Sequence, residues 1–168
     1  KARRKYLLAT GLAAGTLALL LYVPVYGRAG RLHAVAVDVG QGASAILASR
    51  GMTALVDCGS SENFINAGDE AGDTLNTYGY FGLDYLILTH YHDDHANGIG
   101  TLLARVPVDT ILVPPPAAED AAIHEKLTAL AARYGCAVDY VAQDTQVSLG
   151  GAEVRIFAPI GRGGTNEE

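Results

Sequence analysis

Apolar and polar positions divide this chain into one long uncharged run, a series of short β-prone runs and one well-marked amphipathic helix. Residues 6–26, from Tyr6 through Tyr26, contain no charged side chain. Twenty-one residues at about 1.5 Å each span about 31 Å, enough to cross the hydrocarbon core of a bilayer, so the run predicts a transmembrane helix or signal anchor. After a short linker over residues 27–31, Leu32–Val39, Ala43–Ala48 and Thr53–Val56 alternate or cluster Val, Ala, Ile and Leu between glycine-containing breaks. These read as three consecutive strands forming a meander. Residues 62–82 are polar and glycine-rich, with Leu75 and Tyr78 marking one short helix. Tyr85-Leu86-Ile87-Leu88 then reads as a strand buried on both faces.

Beyond it, Ile99, Leu102 and Leu103 have helical spacing, and Asp109–Val113 is a strand stopped by Pro114-Pro115-Pro116. A longer helix follows, opened by Glu119 and Asp120 at its positive dipole end. Its apolar stripe is Ile123, Leu127, Leu130 and Tyr134, and Gly135 ends it. Ala137–Val141, Gln146–Leu149 and Glu153–Ala158 complete the pattern as strands, the last two joined through Gly150-Gly151 as a tight hairpin. Strands interleaved with helices predict an α/β (α+β) domain over residues 32–168.

The charge distribution adds an orientation and an exclusion. Lys1, Arg3, Arg4 and Lys5 form a basic flank over residues 1–5 ahead of the apolar run, while only Arg28 and Arg31 follow it closely. Positive residues favour the cytoplasmic side, so the remainder is expected on the extracytoplasmic face of a cell membrane. A cleaved signal peptide is the competing reading, but the stretch is long and only Gly27-Arg28-Ala29 offers a weak cleavage site. Beyond Arg31 the chain holds six Lys and Arg against eighteen Asp and Glu, a formal charge of −12. Such a surface has no electrostatic footprint for broad capture of a phosphate backbone. Two cysteines, Cys58 and Cys136, are too few to define a disulfide framework and are expected unpaired, with Cys58 in an active-site loop.

The chemistry concentrates at the end of the buried strand. Leu88-Thr89-His90-Tyr91-His92-Asp93-Asp94-His95 places His90, His92, Asp94 and His95 within six residues. Imidazole and carboxylate are the donors that divalent zinc, iron or manganese accept. The cluster lies past the apolar run, so its side chains can converge if the backbone curls. His33, in a strand, and His124, on the surface of a helix, are not expected to be ligands. Asp57-Cys58-Gly59 ends the third strand, where a carboxylate can point out of the sheet mouth or simply close an Asx turn.

The run His90 to His95, preceded by Leu88-Thr89 and followed by Asn97-Gly98-Ile99-Gly100, resembles the Thr-His-x-His-x-Asp-His motif of the metallo-β-lactamase fold. Asp38-Val39-Gly40-Gln41-Gly42 resembles the signature of its competence-protein (ComEC-like) branch, and Val56-Asp57-Cys58-Gly59 is similar to the fold's strand-end Asp-x-Gly. The resemblance implies an αββα sandwich, of which this chain would hold the N-terminal half, with two zinc ions per complete domain, or manganese. It implies that His90 and His92 bind one metal, that Asp94 and His95 bind the second, and that Asp94 also acts catalytically by holding the nucleophile. Asp57 would orient the metal loop, and Asp38, Gly40, Gln41 and Gly42 would belong to a loop over the cleft.

Two metals together can supply a hydroxide near neutral pH and stabilise the entering and leaving oxygens of a phosphodiester. The implied activity is therefore a membrane-anchored phosphodiesterase or nuclease acting on single-stranded DNA during DNA uptake. A hydrolase of small esters, lactones or lactams is the alternative, since one site chemistry serves many substrates. A non-catalytic, degenerate domain is the third reading, and the intact cluster weighs against it. The sequence departs from the family pattern in having Ala43-Ser44 where many relatives carry an acidic residue. The family's later metal ligands are also expected on strands beyond Glu168, which would leave the isolated fragment with weak or no metal retention.

Overall fold

The computed structural model describes residue 6, residues 10–20 and residues 31–158. A helix, α1, covers residues 10–20 and is exposed along its length. Among the described residues no helix is long and apolar enough to cross a membrane. The expected span over residues 6–26 lies in part outside the described residues, as do the basic flank and most of the linker.

From residue 33 onward the elements, all predicted except a short helix at Asp93–Ala96 where a loop was expected, are β1 (His33–Ala36), β2 (Gly42–Ser49), β3 (Met52–Ser60), α2 (Ala67–Thr77) and β4 (Leu83–Ile87). They continue as α3 (Asp93–Ala96), α4 (Ile99–Arg105), β5 (Val108–Val113), α5 (Ala121–Tyr134), β6 (Ala137–Tyr140), β7 (Thr145–Leu149) and β8 (Ala152–Ile156). One six-stranded sheet has the order β1-β2-β3-β4-β5-β6, and β7-β8 form a separate hairpin. The first three strands are an antiparallel meander, whereas β3 to β6 run parallel, each joined to the next through helix.

The period of two along each strand sorts the core into two clusters. Leu55, Leu86 and Ile111 lie side by side in register, pointing to the face covered by α2, α4 and α5. Their neighbours Ile87 and Leu112, with Ala54, point to the opposite face, which the β7-β8 hairpin covers through Leu149 and Val147. β4 is thus buried on both faces, with Leu86 wholly inaccessible. The result is a helix layer, a sheet and a hairpin, in agreement with a mixed α/β class.

Several boundaries differ from the sequence reading, each for a local reason. β1 is only four residues long, although Val37 and Val39 beyond it remain buried. β3 does not stop at Val56 but runs on through Ser60, because its pairing with β2 slips by a bulge. Asp57 and Cys58 together oppose a single residue, Ser44, and Asp57 takes a φ of 58°. Cys58 therefore lies in a strand rather than in an active-site loop. It faces the helix-side core, and burial, with Asp57 beside it, pushes its thiol up to about 12. It is unpaired, as is Cys136.

α2 is capped by Asn66, whose Oδ1 accepts the N–H groups of Gly68 and Asp69. α5 opens at Asp120, its N-cap residue, whose backbone carbonyl accepts the His124 N–H; the Asp120 carboxylate makes no cap bond to the helix and instead accepts the Ala117 N–H. Tyr134 does not complete the apolar stripe but is exposed under the Arg133 guanidinium, while Gly135 closes the helix in the left-handed conformation.

α2 and α4 approach closely because Gly68 of α2 has no side chain: a Cβ there would lie 2.2 Å from the Gly98 carbonyl oxygen. Arg105, at the end of α4, clamps the pair by bonding the Asp69 carboxylate at 2.7 Å and the Asp73 carboxylate.

Candidate metal centre

The site forms where β3 and β4 end side by side, the edge at which ligands bind in parallel sheets. Leu88 donates the last β4-to-β5 rung, to the Leu112 carbonyl, and the chain then leaves the sheet. Residues 93–96 curl into the single turn of α3, with the His95 and Ala96 N–H groups both bonded to the His92 carbonyl.

That curl brings His90, Asp94 and His95 together, with donor atoms all within 4.8 Å of one another. The ring centroids of His90 and His95 are 3.8 Å apart, and His92 meets His90 edge-on at 4.8 Å. His92 is exposed and falls outside the compact three-residue set.

The Asp57 carboxylate fixes this geometry. The bulge and the positive φ turn it toward the loop, where it is nearly fully buried. Its Oδ1 accepts the Thr89 N–H at 2.8 Å, and its Oδ2 accepts both the Thr89 hydroxyl and His95 Nδ1 at 2.8 Å.

These bonds determine the tautomers. A carboxylate only accepts, so His95 carries a proton on Nδ1, and in the neutral ring Nε2 keeps the lone pair. The single Thr89 proton is given to Asp57, so the 3.0 Å contact between Thr89 Oγ1 and His90 Nδ1 has His90 as donor. His90 is thereby left with a free Nε2 as well. His95 Nε2 faces the Asp94 carboxylate at 3.7 Å.

Burial, together with the neighbouring His95 and His92 rings, lowers the His90 pKa below its ordinary value. Low basicity keeps that imidazole neutral and available as a donor. Two neutral imidazole nitrogens and a carboxylate with no cationic side chain in the cluster are a donor set suited to a divalent cation. Cys58, turned into the core, adds no thiolate.

The remaining predicted residues shape the surroundings. Gly59 must lack a side chain, since a Cβ would sit 2.3 Å from the His95 nitrogen and 2.4 Å from the Asp94 carbonyl carbon. Gly42 backs onto Gly59 in turn, with a built Cβ only 2.2 Å from its carbonyl oxygen. Gln41 accepts the Ser61 N–H through its backbone carbonyl, and Gly40, at φ 67°, packs against Glu62 and Ile65. Asp38 is exposed, and its carboxylate accepts the Gly40 N–H of its own loop at 3.4 Å.

Three residues the sequence pattern passed over also hold the site. The Asn97 side chain bonds both backbone groups of Ser60, tying the end of α3 to β3. Tyr91 is buried behind the histidines, and His124, expected on the surface, is half-buried against the Tyr91 ring. Asn97 follows the histidine motif directly, while Tyr91 stands between two ligand-type residues, where only its aromatic bulk marked it.

A cavity of about 320 Å³ lies elsewhere, at the opposite ends of β3, β4 and β5. Arg31 and Arg50 there are balanced by Asp84 and Asp109, and Asp84 is already bonded to the Thr53 N–H. That end of the sheet offers no convergent reactive set.

The metallo-beta-lactamase superfamily profile matches residues 37–162, and the chain belongs to that superfamily, whose fold is that of metal-dependent hydrolases. Among solved structures it is similar to the chemotaxis sensor ODP, described as a peroxy diiron species, with a TM-score of 0.54 and 13% identity over 76% of this chain and 49% of that one. Rm3 metallo-beta-lactamase matches with a TM-score of 0.51 and 16% identity, over 78% of this chain and 52% of that one. MEM-A1, a subclass B3 metallo-beta-lactamase from a soil metagenome library, matches at 0.50 and 20%, over 70% and 46%. At these identities the likeness concerns the fold alone, and the chain spans about half the length of these structures. No curated protein matches it.

Two outcomes test the site. Asp57→Ala removes the acceptor that orients His95 and Thr89, and zinc affinity measured by chelator competition should fall about 10- to 100-fold; unchanged affinity would contradict the orienting role. In the metal-free protein, an NMR titration should find His90 protonating below the ordinary imidazole value of 6.5. Below that pH the unfolded chain binds a proton that the folded site resists, so this group's contribution to stability is present above the unfolded value and lost on acidification. A midpoint at or above 6.5 would refute it.

Proposed function

We propose that this chain belongs to a metal-dependent hydrolase acting on a phosphodiester, of the competence-protein (ComEC-like) branch, held at a membrane by residues 6–26, and supplies part of its metal site. The observation that carries the hydrolase reading is the paired orientation of His90 and His95 through their Nδ1 atoms by Thr89 and Asp57, in a cluster whose third member is Asp94, with His95 Nε2 3.7 Å from its carboxylate.

Metal bound by His90, Asp94 and His95, with His92 alongside, would supply a polarised water and offset negative charge developing on the substrate. The chain's own residues supply the rest. Asp57 holds the imidazoles in the donor tautomer, and Asp94 would serve as a metal ligand and hold the nucleophile in line. Zinc is the first choice for these donors, with manganese as the alternative. The Asp38-to-Gly42 loop supports the assignment to the ComEC-like branch, and the uncharged run ahead of the domain supports the anchor.

A second reading, hydrolysis of small esters, lactones or lactams, is favoured by the formal charge of −12 beyond Arg31, which repels a polyanion. Metal-replete full-length protein separates the two. The proposal expects metal-dependent cleavage of single-stranded DNA that is abolished in Asp94→Ala. Intact DNA alongside hydrolysis of a lactone or ester would overturn it in favour of the second reading.

A further inference from the structure

Between His90 and His92 the chain points the other way. Tyr91 is 2% exposed, and its hydroxyl donates to the Pro114 carbonyl at 2.7 Å, a bond that is itself buried. Pro114 opens a run of three prolines directly after β5, so the acceptor sits on backbone with little freedom to move. The Tyr91 ring meets the His124 ring edge-on at 5.9 Å, and His124 Nε2 is 2.8 Å from the Tyr140 hydroxyl of β6.

The segment leaving β4 is thus pinned twice, from opposite sides. Thr89 is tied to Asp57 on β3, and Tyr91 is tied to the residue that follows β5. His90 lies between the two pegs. With Tyr91 held inward, its neighbours face out of the core: His90 is half-buried and His92 exposed.

We infer that Tyr91 is a positioning residue for the metal site: its hydroxyl, anchored on Pro114 and backed by His124, holds the segment that carries His90 and His92 before any metal arrives. The inference rests on the metal reading of the cluster. It goes further by making the β5 end and α5, which carry none of the ligands, part of what presets them. The phenol does not touch substrate or metal and acts only through its neighbours.

Tyr91→Phe removes one oxygen and keeps the ring, and two readouts on this variant test the idea. Amide hydrogen exchange across residues 89–93 should quicken about tenfold while the β2 and β3 core amides keep their rates, and zinc affinity by chelator competition should weaken about tenfold. His124→Ala, which removes the wall behind the ring but spares the hydroxyl bond, should show a smaller change in the same amides. Wild-type exchange across 89–93 in both variants overturns the inference. So does a uniform loss of protection, which would mean a general stability role, or faster local exchange with unaltered zinc affinity. A wild-type full-length protein that takes up no zinc would instead sink the metal reading, and the exchange comparison would still decide whether Tyr91 anchors the loop.

Discussion

The buried carboxylate of Asp57 is the constraint on which the rest of the site depends. An ionised carboxylate removed from water costs several kcal/mol unless its oxygens are satisfied. Here three donors meet it: the Thr89 backbone, the Thr89 hydroxyl and His95 Nδ1. The same bonds that make its burial tolerable fix which nitrogen of His95, and through Thr89 which nitrogen of His90, is left open. Stability of the loop and readiness of the donors are therefore one arrangement.

The sheet explains how that carboxylate arrives there. Parallel pairing of β3, β4 and β5 places the ends of three strands together, and the bulge opposite Ser44 rotates Asp57 toward the mouth. Gly42 and Gly59 then let β2, β3 and α3 stack backbone on backbone, which brings the Asp94-His95 turn down onto the carboxylate. A methyl group at either glycine would separate these layers by more than a hydrogen bond can span.

Much of this was legible in the sequence. The strands and helices follow from period-two and period-3.6 patterns, and Leu86-Ile87-Leu88 announced a doubly buried strand delivering histidines to its end. The bulge was not legible, because a φ of 58° at Asp57 is imposed by pairing with β2 and by the bonds to Thr89, neither of which is local. For the same reason Cys58 read as loop and proved to be core. Tyr91 and His124 are thirty-three positions apart, and no spacing rule links an aromatic in a loop to a histidine on a later helix. The acids before α5 marked its start correctly, with Asp120 at the N-cap, but the bond its carboxylate makes to the Ala117 N–H in the preceding turn left no signal in the sequence.

The central claim is that the fold holds His90 and His95 through Nδ1 and leaves the Nε2 of each open to a metal. Long-range proton–nitrogen NMR of the histidine rings, recorded without metal and during a zinc titration, tests it most directly. The account predicts Nδ1–H tautomers for both residues in the free protein and large shifts of their Nε2 resonances as zinc is added. Nε2–H tautomers in the free protein, or zinc-dependent shifts at Nδ1, would contradict it.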